Sequence, residues 1–65
     1  MKGVIKLHEV AHGFGFITGE DGKDYYTQFQ GLTAEEKAQS LKGKSVTFDL
    51  VEGLRGDEAV NLVLI

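Results

Sequence analysis

The stretch His12-Gly13-Phe14-Gly15-Phe16-Ile17 decides how this chain folds. Side chains alternate across a strand, so Phe14 and Phe16 project from one face. Gly15 leaves the opposite face bare and implies close backbone packing beneath it. Downstream, Gly19-Glu20-Asp21-Gly22-Lys23-Asp24 is a polar turn with the Asp-Gly pair that favours a hairpin. Tyr25-Tyr26-Thr27-Gln28-Phe29, aromatic and β-branched, forms the returning strand, with Tyr26 and Gln28 on a shared face. Across such a hairpin Phe14, Phe16 and Tyr26 become neighbours. Three rings on one sheet face form either half of a hydrophobic core or an exposed stacking platform. Val4, Ile5, Ile17, Val46, Phe48, Leu50, Val60 and Leu62 already offer a core suited to this length.

Working outward, the segment from Val4 to Val10 is β-prone. Ser45-Val46-Thr47-Phe48-Asp49-Leu50-Val51 alternates cleanly, with Val46, Phe48 and Leu50 inward. Gly53-Leu54-Arg55-Gly56-Asp57 is a turn, and the segment from Ala59 to Ile65 is a last strand. Between the third and fourth strands, Thr33 and Glu36 have the spacing of a capping box, which predicts a turn or two of helix. Five short strands at this spacing predict a small closed or nearly closed barrel, which removes sheet edges.

Sixty-five residues without cysteine allow one domain held by packing alone. No stretch approaches the roughly 18 apolar residues of a membrane span, and the first residues lack the apolar run of a secretory signal. A cytoplasmic location without membrane contact is therefore expected. Seven Lys and Arg stand against ten Asp and Glu, a net charge of −3. That balance opposes a grip made mainly by counterion release, but not one made by stacking on bases.

Catalysis and cofactors are not expected. Loops this short build no deep cleft, and the carboxylate pairs Glu20-Asp21 and Glu35-Glu36 read as a solvated turn and a solvated helix face. His8 and His12 fall on strand and turn with no cysteine nearby, which argues against a metal. Glu9 can pair with either histidine, which would make binding sensitive to pH. The spacing of Gly13, Gly15 and Gly19 does not fit a dinucleotide loop. Val63 and Ile65 in the apolar last strand have no evident home, unless Leu54 or the helical insertion covers them. That strand offers a surface for self-association.

From Lys6 to Phe29 the chain resembles the cold-shock domain, whose hallmark is Lys-Gly-Phe-Gly-Phe-Ile followed by a Val-Phe-Val-His-Phe strand. The likeness continues through Gly3-Val4-Ile5-Lys6, Gly43-Lys44-Ser45-Val46-Thr47-Phe48, Val51-Glu52-Gly53-Leu54-Arg55-Gly56 and Ala59-Val60-Asn61-Leu62. It implies an all-β, five-stranded antiparallel OB-fold barrel over residues 1–65, with a short helical insertion between strands 3 and 4. It also implies binding of single-stranded RNA or DNA, often as an RNA chaperone. Carried onto this sequence, the stacking residues are Phe14, Phe16, Tyr26 and Phe29, with His8 as an auxiliary platform. Lys6, His12, Asp24, Gln28 and Arg55 supply polar contacts.

The departures are specific. Leu7 and His8 stand where the family has tryptophan and phenylalanine. His12 replaces a lysine, Gln28 a histidine and Asp57 a proline, while Tyr25 and Thr27 occupy places of buried valines. The family's loop phenylalanine has no counterpart between Thr33 and Ser40. Stacking is worth ~1–3 kcal/mol per base, so three weakened positions at roughly 1 kcal/mol each lower affinity about a hundredfold. Micromolar or weaker binding is expected. The alternative is an OB module that has exchanged nucleic acid for a protein partner or for itself.

Overall fold

The computed structural model describes residues 1–54 and 56–65. Its elements are β1 (Lys2–Glu9), β2 (Phe14–Gly19), β3 (Asp24–Thr27), α1 (Ala34–Lys37), β4 (Ser45–Gly53) and β5 (Gly56–Leu64). The strands close a barrel in the order β1-β2-β3-β5-β4, with β4 returning to β1. Four pairings are antiparallel. The fifth, β3 with β5, is parallel and short, matching Tyr26 to Glu58 and Thr27 to Ala59. A uniformly antiparallel barrel is not available to five strands, because directions cannot alternate around an odd ring.

The hairpin between β2 and β3 forms as its turn residues dictate. Gly22 adopts φ 82°, its N–H donates to the Gly19 carbonyl at 2.9 Å, and the Asp21 carboxylate accepts from the Lys23 N–H at 3.0 Å. The Tyr25 hydroxyl also donates to Asp21, tying the turn to the barrel wall. Gly15 is obligatory for a different reason: a Cβ there would lie 2.0 Å from the Leu7 carbonyl oxygen.

The core gathers Ile5, Ile17, Tyr25, Phe29, Leu32, Leu41, Val46, Phe48, Ala59 and Leu62, with Leu50 and Leu64 packed against it. Val60 is buried but outside that cluster. Val4, expected in the core, is exposed: it lies on the outer side of β1 next to inward-facing Ile5. The capping box of α1 is complete, with the Thr33 hydroxyl accepting from the Glu36 N–H and the Glu36 carboxylate from the Thr33 N–H. No residue of α1 is buried, so the insertion is anchored by its flanks, Leu32 and Leu41. Neither α1 nor the fully exposed Leu54 covers the last strand, where Val63 and Ile65 stay in solvent. Among the described residues, no helix is long and apolar enough to cross a membrane.

Candidate nucleic-acid interface

The hairpin register sets Phe16 directly opposite Tyr26. Their ring centroids are 5.9 Å apart and nearly perpendicular, and Phe14 stacks on Tyr26 at 6.2 Å with planes 24° apart. All three rings are half-buried on the outer face, while Gly15, Ile17, Tyr25 and Thr27 point inward. Such offset and edge-on pairs hold each other's orientation on that face. His12, in the turn before β2, extends the row: its ring lies 6.3 Å from that of Phe14. Its Nδ1 is 4.0 Å from the Glu9 carboxylate, so Glu9 attends His12 and not His8.

Polar groups flank the rings. The Lys6 ammonium donates to Asp24 at 2.7 Å, and the Thr18 hydroxyl donates to the other Asp24 oxygen at 2.7 Å. These two bonds hold the Asp24 carboxyl below the usual carboxylate range, Lys6 contributing most. Gln28 is exposed, and its amide reaches toward the Tyr26 hydroxyl at 3.5 Å. Arg55 lies outside the described residues. With Lys6 engaged by Asp24, and Glu9 and Glu58 paired in register with Phe14 and Tyr26, the face presents little net positive charge.

Two expected stackers are elsewhere. Phe29 is wholly buried in the core and takes a left-handed φ of 58°. It lies on the Tyr25 and Thr27 side of the strand, so alternation carries it inward. His8 is buried as well, its ring 4.2 Å from that of Phe29. The cause is a bulge in β1: Ile5 pairs with Ile17 and Leu7 with Phe16, so Lys6 is the extra residue. Lys6 and Leu7 therefore both face out and His8 turns in. His8 Nδ1 accepts from the Leu41 N–H at 3.1 Å, while its Nε2 is buried without a well-formed hydrogen bond. Burial lowers its pKa from 6.5, opposed more weakly by the Gln39 backbone, so the ring is neutral at pH 7.

Sequence reasoning missed three members of the face. Leu7 meets Phe16 across the strands and adds apolar surface, Thr18 orients Asp24, and Glu58 adjoins Tyr26 across the parallel pair. Thr18 follows from counting two residues on from Phe16. The other two depend on the bulge and on the barrel's closure.

The whole chain, residues 1–65, matches the 'Cold-shock' DNA-binding domain. It is 38% identical over 63 residues to the cold shock-like protein CspC of Bacillus cereus, covering 97% of each chain. It is likewise 38% identical to cold shock protein 2 of Lactiplantibacillus plantarum, over 92% of this chain and 91% of the relative. The major cold shock protein of Streptococcus pyogenes is 36% identical, over 94% of this chain and 91% of that protein. A closed five-stranded barrel, three rings on its outer hairpin and a match over its full length together place this chain in the cold-shock domain family.

Proposed function

We propose that residues 1–65 act in the cytoplasm as one module that binds single-stranded RNA or DNA, in the manner of an RNA chaperone. Successive bases lie on Phe14, Phe16 and Tyr26. The observation that carries this reading is the outward row of three mutually supported rings on β2 and β3. Every base has a π-face, so stacking tolerates sequence and does not need a basic surface. The internal Lys6–Asp24 pair and the nearby carboxylates keep affinity at micromolar or weaker. Titration with oligo-dT or oligo-U, followed by tyrosine fluorescence, tests the reading; no binding at millimolar protein overturns it.

A second surface supports self-association. Val63 and Ile65 are exposed, and Ile65, Val4 and Gly3 line a shallow apolar hollow of about 410 Å³. Sedimentation over a range of concentrations distinguishes a dimer from a constant monomer.

A further inference from the structure

At the β5 end of the ring platform lies a cleft of about 260 Å³ lined by Tyr26, Gln28, Leu54 and Glu58. Small-molecule pockets start near roughly 300 Å³, so this one suits a single planar ring system. Its components are unlike one another. Tyr26 gives an aromatic wall continuous with Phe14 and Phe16. Leu54, fully exposed, gives an apolar lip. Gln28 gives an amide with both donors and an acceptor. Glu58 gives a carboxylate, on the residue that the parallel pairing sets beside Tyr26. Glycine at 53 makes room for it: a Cβ on Gly53 would come within 3.0 Å of a Glu58 carboxylate oxygen.

We propose that this cleft reads one base of the bound strand and that Glu58 sets its preference for an amino-bearing base over uracil or thymine. The inference rests on the stacking function proposed above. An ionised carboxylate only accepts hydrogen bonds. The exposed edge of an unpaired cytosine, adenine or guanine carries an amino group that can donate to it, and single-stranded bases are read on that edge. Uracil and thymine present two carbonyl oxygens flanking one N–H, so a carboxylate facing that edge meets lone pairs. Gln28, across the cleft, completes the pairing with either a donor or an acceptor. A base drawn into the cleft stays stacked on Tyr26, so recognition adds to stacking and does not compete with it.

The test compares oligo-dC with oligo-dT of equal length at pH 8, where cytosine is neutral, by fluorescence anisotropy. Wild type is expected to bind oligo-dC about five- to tenfold more tightly, the lower part of the range for one good base contact. Glu58→Gln, whose amide both donates and accepts, is expected to bring the ratio close to one. Since it also removes a negative charge, affinity for both strands is expected to rise together; the ratio is the readout. Phe16→Ala weakens both strands alike and leaves the ratio. Equal binding of the two strands by wild type, or an unchanged ratio in Glu58→Gln, overturns the inference while leaving the platform intact. No binding of either strand overturns both.

Discussion

The Thr27 hydroxyl donates to the Ala59 carbonyl at 3.0 Å and accepts from the Phe29 N–H at 3.0 Å, within the buried interior. One hydroxyl thus fastens the parallel closure of the barrel and satisfies the backbone of a residue with positive φ. Thr27→Val keeps the shape and orphans both partners, and an unsatisfied buried group costs about 1–3 kcal/mol. Urea denaturation should show that loss, with Thr27→Ser retaining more stability than Thr27→Val.

Phe29 and Phe16 should separate cleanly. Phe29→Ala empties a fully buried site, at about 3–5 kcal/mol, enough to unfold much of a small domain. Phe16→Ala removes a half-buried ring, so the fold should persist by circular dichroism. Oligonucleotide affinity should fall by the ~1–3 kcal/mol of one stacked base. A variant at position 16 that unfolds would place that ring in the core.

Stability should depend on pH in a way set by four side chains. The unfolded chain protonates His8 near pH 6.5, the folded chain only at lower pH, so the unfolded state binds more protons in between. The His8 contribution is present above pH 6.5 and is lost as the pH falls through its lower, folded value. Asp21 and Asp24, held below 3.8, add to the loss at stronger acid. Tyr25 works oppositely. Its bond to Asp21 pushes its pKa from 10.0 up to about 12, so its contribution is present below pH 10 and lost as pH rises through about 12. Thermal melts from pH 7 to 5 should fall less steeply for His8→Asn, which keeps an acceptor for the Leu41 N–H but does not titrate.

Asp24→Asn should release the Lys6 ammonium toward a phosphate. The expected result is tighter oligonucleotide binding and a log–log salt slope steeper by about 0.7, the value for one phosphate on a single strand. A drop in affinity would show instead that the Asp24 carboxylate itself contacts the base.

The hairpin at the centre of the site was legible because its determinants are local. Alternation places Phe14, Phe16 and Tyr26 together, and the Asp21-Gly22 turn sets their register. The capping box of α1 was legible for the same reason. Phe29 was legible too, since Tyr25, Thr27 and Phe29 share one side of the strand; the family likeness pulled it outward. The bulge at Lys6 left no mark in the sequence, and it reversed His8. Nor did the left-handed Asn61 (φ 54°) announce the β5 side of the register shift opposite Phe48. Glu58 reaches Tyr26 only through closure of the ring, a long-range event that no window of residues contains.

The extra residue in β1 changes the strand's phase, and this decides where the chain can evolve a stronger grip. Regular alternation through Lys6, with no bulge, would exchange the roles of its successors, sending Leu7 inward and the imidazole of His8 outward. With the bulge in place, an aromatic gained at position 8 only enlarges the core, whereas one gained at position 7 lands beside Phe16. Leu7→Trp is therefore a one-step route to a fourth ring on the platform, worth about tenfold in affinity at 1.4 kcal/mol. The weak binder and a tighter one stand a single side chain apart, at a position that strict alternation would have assigned to the interior.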